Sequence, residues 1–258
     1  MGAVGLPPTY IFSFRGSKSR PDWIYDLEFI GRKLPFVPFD RNARSMVPQG
    51  ANVAHGFWSI YASAQATTPS MQEQLFSLLH KYQPSQLYIA GHSLGGALCV
   101  LFTLDLALSE FGNIQYWNYN YGCPMVGNKV FADFYNSQPR EQQTPTLRVQ
   151  NIDDAVPCNP PPKDDYKHVG QAYLIGFHGP ESRREERLLD NHMAQNYRPV
   201  LECARDTANG VCINDNVKVP SPTCTVTSFK PDPTKICAGT MLEPGAAAAG
   251  GVGIPDQP

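Results

Sequence analysis

A serine flanked by glycines carries the clearest chemical signal in this chain. Residues 91–96 read Gly-His-Ser-Leu-Gly-Gly, so Ser93 stands in a G-x-S-x-G pattern. An apolar run typical of a strand precedes it at 86–90, and a long apolar run typical of a helix follows at 97–108. A serine at a sharp strand-to-helix turn presents its hydroxyl at the top of a sheet, and glycines there remove Cβ atoms that would clash. The pattern and its context predict that Ser93 is a nucleophile.

An acid and a base that could activate this serine follow it in the chain. Asp153 and Asp154 come after a strand-like run at 147–151, in a loop where a carboxylate can accept a hydrogen bond from an imidazole. His192 lies beyond the last alternation of helix and strand and is the preferred base among the six histidines. The order serine, aspartate, histidine is that of the α/β-hydrolase arrangement. These residues predict a catalytic triad and leave the choice between the two aspartates open.

Several segments, in order along the chain, resemble motifs of the fungal-type class 3 lipase family. They are Thr-Tyr-Ile-Phe-Ser-Phe-Arg-Gly-Ser at 9–17 with Asp-Trp-Ile-Tyr-Asp-Leu at 22–27, Val-Ala-His-Gly-Phe at 53–57, the serine motif, Tyr-Gly-Cys-Pro-Met-Val-Gly-Asn at 121–128, and Asn-Ile-Asp-Asp-Ala-Val-Pro at 151–157. One residue is missing between His55 and Gly56, and Met125 stands where arginine is usual. The last segment matches N-x-x-D-x-V-P, which selects Asp154 over its neighbour. The resemblance extends from about residue 9 to residue 197.

This resemblance implies a mechanism and further site residues. Ser93 would attack an ester carbonyl, His192 would take and return the proton, and Asp154 would orient the imidazole and stabilise its cation. The backbone N–H of Leu94 and the N–H and hydroxyl of Ser17 would stabilise the oxyanion. Ser17 is the preferred donor because it directly follows an Arg-Gly pair. Such chemistry requires no metal and no cofactor.

A short amphipathic segment at 19–27 is a candidate lid. Its first residues form an S-x-x-D capping pattern with proline in the first turn, and Trp23, Ile24 and Leu27 fall on one face. In the resembled family this segment covers the nucleophile in water and opens against a lipid surface. The alternative is a half-buried connecting helix.

The resemblance implies a serine ester hydrolase that cleaves acylglycerols through an acyl-enzyme at a lipid–water interface. A phospholipase A1-like activity and a feruloyl esterase-like activity would use the same triad, because only the acyl and alcohol pockets separate them. A non-catalytic binding module on the same fold belongs to a different class. The filled triad positions disfavour it.

The elements that must position these residues alternate between strand and helix. Strand-like and helix-like runs fall at 10–14, 71–82, 86–90, 95–109, 115–121, 128–137 and 147–151. Such alternation indicates an α/β fold with a mostly parallel sheet and helices on both faces, as in α/β-hydrolases. We expect a catalytic domain at 1–201 and a Cys-, Pro- and Gly-rich tail at 202–258 that is partly disordered. The resembled family has further elements before the first strand, so we expect an N-terminally shortened fold.

Charge and hydropathy restrict the partners. Twenty-one Lys and Arg against 23 Asp and Glu give a formal net charge of −2, which offers no support for binding to nucleic acid or to an anionic membrane. The longest apolar run, 97–108, is interrupted by Thr103 and Asp105. It suits a buried helix better than a membrane span.

Cysteine usage bears on the compartment. Cys99 and Cys123 fall in core elements and are expected to be buried thiols. The other cysteines lie in loop or tail context, where disulfides are plausible: Cys158, Cys203, Cys212, Cys224 and Cys237. We therefore expect a secreted protein if the N-terminus is incomplete, and a cytoplasmic one otherwise.

Overall fold

The computed structural model describes residues 8–16, 32–138, 146–160, 165–178, 191–206 and 225–226, with side chains described up to Glu202. In chain order its elements are β1 (Thr9–Phe14), β2 (Lys33–Pro35), a 3-10 helix (Arg41–Met46), β3 (Asn52–Ala54), α1 (His55–Ala62), α2 (Met71–Tyr82), β4 (Gln86–His92), α3 (Leu94–Ala107), β5 (Gln115–Tyr121), β6 (Gly127–Asn128), α4 (Lys129–Ser137), β7 (Leu147–Asn151), a 3-10 helix (Val156–Cys158), β8 (Tyr166–Lys167), β9 (Gln171–Ile175), β10 (Phe177–His178), α5 (Ala194–Asp206) and β11 (Thr225–Val226).

A parallel sheet forms the centre of the described fold. Its strands lie in the spatial order β1-β4-β5-β7-β9, and each neighbouring pair is parallel. Because parallel strands all point the same way, their carboxyl ends meet at one edge of the sheet, where α/β folds place their ligands. The predicted mostly parallel sheet is confirmed.

Different helices cover the two faces of this sheet. Leu87 and Ile89 of β4 are buried in one core cluster with α3, a helix that is buried along nearly all its length. Side chains alternate between faces along a strand. The opposite face carries Val149 of β7, which packs with Tyr197 and Val200 of α5. Helices therefore lie on both faces, as the alternation of elements predicts.

Local signals explain how the neighbouring elements begin. The helix predicted at 71–82 is α2, and Ser70 and Glu73 form a reciprocal capping box at its first turn. A second, antiparallel sheet has the order β2-β3-β6-β8. The side chain of Asn128 caps α4 and also binds the Asn52 N–H and the Gly50 carbonyl. This contact joins the start of α4 to the second sheet.

The C-terminal part differs in detail from the expected tail. Helix α5 continues to Asp206, beyond the boundary expected at residue 201, although it contains Pro199. Further on, β11 pairs antiparallel with β10, so two residues of the expected tail lie against the catalytic domain. The division into a domain at 1–201 and a tail at 202–258 stays a prediction.

The described cysteines behave as their sequence context indicates. Cys99 and Cys123 are buried free thiols, and burial raises the pKa of both. Cys158 is disulfide-bonded.

Candidate active site

Ser93 occupies a strained turn between β4 and α3. Its backbone has φ 57° and ψ −128°, a conformation that a residue with a side chain rarely adopts, and it is only 5% exposed. A Cβ atom on Gly91 would lie 2.4 Å from the Gly95 carbonyl oxygen, and one on Gly95 would lie 2.2 Å from the Phe14 carbonyl oxygen. The two glycines of the motif are therefore required by backbone packing, as the sequence pattern indicates.

Asp154 and His192 meet through a short hydrogen bond. Asp154 Oδ2 lies 2.7 Å from His192 Nδ1, and both side chains are buried. The same oxygen accepts a bond from the Tyr197 hydroxyl at 2.8 Å, and Oδ1 accepts one from the Val156 N–H at 2.9 Å. Burial raises the pKa of Tyr197 well above its usual value, and the adjacent Asp154 adds to this, so the hydroxyl stays a donor. The carboxylate is held on both oxygens.

Side-chain amides hold the turn that carries His192 against the end of β7. Asn151 Nδ2 donates to the Phe177 carbonyl at 2.9 Å and to the Asn191 carbonyl at 3.0 Å. In return, Asn191 Nδ2 donates to the Asp153 carbonyl at 3.0 Å. The backbone of Asp153 thus helps to position the turn, whereas the side chain that reaches His192 is that of Asp154.

Gly122 lies beside both the turn of Ser93 and the Asp154–His192 pair. Ser93 N–H donates to the Tyr121 carbonyl at 2.9 Å. The next residue, Gly122, has φ +54°, and a Cβ there would lie 2.9 Å from Asp154 Oδ2 and 3.0 Å from His192 Cε1. Only glycine leaves room for both groups beside the serine turn.

Of the two residues predicted to bind the oxyanion, Leu94 lies within the described residues and Ser17 does not. Leu94 is the first residue of α3, where backbone N–H groups have no acceptor within the helix. A Cβ on Gly16 would lie 3.5 Å from Ser93 Cβ, so the chain just before residue 17 runs beside Ser93. Ser17 itself lies outside the described residues, as do the lid candidates Trp23, Ile24 and Leu27.

Three residues of this site were not singled out by the sequence patterns: His92, Gly122 and Tyr197. His92 Nε2 lies 2.6 Å from the carbonyl oxygen of His192, and the two rings stack at 4.5 Å between centroids. Tyr197 lies 43 positions from the carboxylate that it binds. The only local signals are the position of His92 within the serine motif and a glycine at the end of β5.

The described residues hold no group of three or more His, Cys, Asp or Glu side chains arranged to bind a metal ion. None of the helices in the described ranges combines the length and the apolar character needed to cross a membrane.

The family model described as "Lipase (class 3)" matches residues 11–163. "Lipase" from Rhizomucor miehei is 31% identical over 176 residues, which are 67% of this chain and 44% of that protein. "Phospholipase A(1) DAD1, chloroplastic" from Arabidopsis thaliana is 30% identical over 149 residues, 57% of this chain and 32% of that protein. "Secreted mono- and diacylglycerol lipase MDL3" from Malassezia globosa is 30% identical over 141 residues, 52% of this chain and 43% of that protein.

These matches cover only part of each relative. The chain spans less than half of the length of each of these relatives. The family model nevertheless matches more than half of the chain, and the matched range contains the strained serine and the aspartate bonded to His192. The chain belongs to the class 3 lipase family.

Proposed function

We propose that this protein is a serine ester hydrolase that cleaves acylglycerols with Ser93, His192 and Asp154 as its triad. The observation that carries the proposal is the 2.7 Å bond between Asp154 Oδ2 and His192 Nδ1. Because Nδ1 faces the carboxylate, Nε2 is the nitrogen that would take the proton from Ser93. Membership of the class 3 lipase family supports the same roles.

The reaction follows from these roles. Ser93 Oγ would attack the ester carbonyl while His192 Nε2 accepts its proton and then protonates the leaving alcohol. The Leu94 N–H, with the N–H and hydroxyl of Ser17, would bind the oxyanion, and each such donor lowers the barrier by about 3 kcal/mol. Water activated by His192 would then cleave the acyl-enzyme. Asp154 would keep the imidazole oriented and stabilise its cation in both steps.

The relatives support an acylglycerol as the substrate and keep one alternative open. The Malassezia globosa relative is named a mono- and diacylglycerol lipase, whereas an Arabidopsis thaliana relative is named a phospholipase A(1). We propose that residues 19–27, with Trp23, Ile24 and Leu27 on one face, act as a lid at the lipid–water interface.

The Malassezia protein is also named as secreted. The disulfide at Cys158 is in keeping with an extracellular location.

A hydrolysis panel tests this proposal. The full chain and its Ser93→Ala variant would be assayed on dissolved p-nitrophenyl butyrate, emulsified triacylglycerol, phosphatidylcholine vesicles and methyl ferulate. We expect serine-dependent hydrolysis that is fastest on triacylglycerol and that rises sharply once the ester exceeds its solubility limit. A preference for phosphatidylcholine would favour the phospholipase alternative. A folded protein that is inactive on all four would instead be a binding module.

A further inference from the structure

His92, the residue directly before the proposed nucleophile, contacts the proposed base in two ways. Its Nε2 lies 2.6 Å from the His192 carbonyl oxygen. Its ring stacks on the His192 ring, with 4.5 Å between centroids and 36° between planes, and meets Tyr197 edge-on at 5.9 Å. His92 therefore touches both the backbone and the side chain of His192.

The first contact sets the protonation of His92. A carbonyl oxygen only accepts hydrogen bonds, so Nε2 carries the proton and donates it. Burial is the main cause that lowers the pKa of His92 to about 3, and the neighbouring His192 contributes to the same shift. His92 is consequently a neutral donor over the whole pH range in which an imidazole base works, and it places no second cation beside His192.

His92 is one of several residues that contact the turn carrying His192. Asn191 and His192 precede α5. The backbone carbonyl of Asn191 accepts a bond from the Asn151 side chain, and the side-chain amide of Asn191 donates to the Asp153 carbonyl. The bond from His92 is made to the carbonyl of His192 itself, on the side of the serine turn. His92 and Ser93 are adjacent at the end of β4. A bond from His92 to His192 therefore restrains the distance between Ser93 and His192.

We propose that His92 is a positioning residue that holds the His192 imidazole in register with Ser93 through its Nε2–H bond to the His192 carbonyl. This inference rests on the proposed function for its effect on rate. Its structural part, the restraint on His192, is independent of any substrate. A ring that only filled space beside His192 would act through its volume, and the donor would not matter.

Three substitutions of His92 separate the effect of the donor from that of the ring. Glutamine places its amide nitrogen near the position of histidine Nε2, whereas asparagine is one methylene shorter and places it near Nδ1. His92→Gln therefore keeps the proposed bond and loses the ring, and His92→Asn loses both. His92→Phe keeps a ring without a donor. His80→Asn, on the half-exposed end of α2, controls for a histidine change elsewhere.

The restraint is measured without substrate. The proton on His192 Nδ1, shared with Asp154, gives a far-downfield proton resonance that exchanges slowly when the imidazole is held, and Asp154→Asn identifies it by its loss. We expect His92→Asn and His92→Phe to broaden this resonance or to speed its exchange by roughly tenfold or more, and His92→Gln and His80→Asn to retain it. Circular dichroism checks that each variant is folded, and the Gln and Asn pair decides the case if the Phe variant is not.

Kinetics on a dissolved short-chain ester give the second readout. We expect His92→Asn to lower kcat by roughly 10- to 100-fold with KM unchanged, because small displacements of a catalytic group have effects of this size. His92→Gln should stay within about threefold of the original kcat. Equal losses in Gln and Asn variants, or an unchanged resonance in the Asn variant, would overturn the proposal. Absence of hydrolysis by the unmodified protein would sink the proposed function alone, since the resonance still tests the restraint.

Discussion

Asp154 and Asp105 are both buried carboxylates, and each accepts hydrogen bonds from one backbone N–H, one tyrosine hydroxyl and one further side chain. Around Asp154 these donors are the Val156 N–H at 2.9 Å, the Tyr197 hydroxyl at 2.8 Å and His192 Nδ1 at 2.7 Å. This carboxylate lies after the end of β7, at the sheet edge where the strand ends and the turn of Ser93 meet. Its third donor is a group that can accept a proton on its other nitrogen.

Asp105 lies within α3, on the other side of the sheet. Its donors are the Phe39 N–H at 2.6 Å, the Tyr61 hydroxyl at 2.8 Å and Gln72 Nε2 at 2.6 Å. They belong to the segment before the first 3-10 helix, to α1 and to α2, so one carboxylate joins three parts of the fold to α3. Burial raises the pKa of Asp105 to about 6, although all three donors act in the opposite direction.

The difference between the two sites lies in the third donor. The amide of glutamine keeps its protons at any physiological pH, so we expect the Asp105 cluster to fix helices in place rather than to transfer protons. Histidine changes charge during acyl transfer, and the carboxylate beside it stabilises the cation that forms. Burial and the number of hydrogen bonds therefore do not distinguish Asp154 from Asp105. The chemistry of the third donor does.

The same substitution at the two aspartates should separate their roles most widely. Asp154→Asn should lower kcat by about 10⁴, because an amide favours the wrong imidazole tautomer. Asp105→Asn should leave kcat within about threefold, since its cluster does not touch the reacting groups. Asp153→Asn is the neighbouring control and should be mild. Steady-state rates on a dissolved short-chain ester measure all three, and a larger loss at Asp153 than at Asp154 would contradict the assignment.

The two tyrosines offer a second matched pair. Tyr197→Phe removes one hydrogen bond to the Asp154 carboxylate, and we expect kcat to fall by roughly 10- to 100-fold, since bonds to charged groups contribute about 1.5 to 3 kcal/mol. Tyr61→Phe removes the equivalent bond at Asp105, and it should reduce the free energy of unfolding by about 1 to 3 kcal/mol without a comparable change in kcat. Urea unfolding and ester kinetics on both variants make the comparison. Equal kinetic losses in the two variants would contradict a specific effect of the Tyr197 bond on the reaction.

The last of these predictions concerns how the free energy of unfolding changes with pH. The folded pKa of Asp105, about 6, lies above its ordinary value of 3.8. The folded state therefore holds this proton more tightly, and the resulting stabilisation is present at low pH and is lost as pH rises from about 4 to about 6. Relative to Asp105→Asn, the unmodified protein should lose about 2 kcal/mol of unfolding free energy between pH 4 and pH 7. Urea unfolding at several pH values measures this, and comparison with the variant cancels other titrating groups such as His92. A constant difference would contradict a raised pKa.

Local patterns were sufficient to predict the parts of the fold that depend on neighbouring residues. The turn at Ser93 follows from glycines two positions away, and α2 begins at a capping box contained in four residues. The apolar run of α3 also predicted a buried helix. Its two polar interruptions are buried as well, because Thr103 accepts a bond from Asn118 and Asp105 has the donors described above.

Local sequence patterns could not predict contacts between residues that lie far apart in the chain. The bond from Tyr197 to Asp154 joins residues 43 positions apart, and that from His92 to His192 joins residues 100 apart. Both depend on how α5 packs against the end of the sheet, and the sequence patterns did not indicate α5, which contains Pro199. The choice of Asp154 over Asp153 needed the family resemblance, since either residue could follow the strand.

Covalent labelling tests the role of Ser93 most directly. A fluorophosphonate reacts with an activated serine and leaves a stable adduct, which intact mass and peptide mapping can locate. We expect the unmodified protein to gain one adduct on the peptide that contains Ser93, Ser93→Ala to gain none, and His192→Ala to react far more slowly because the serine loses its base. An adduct on another residue, or equal labelling of the Ser93→Ala variant, would contradict the assignment of Ser93 as the nucleophile.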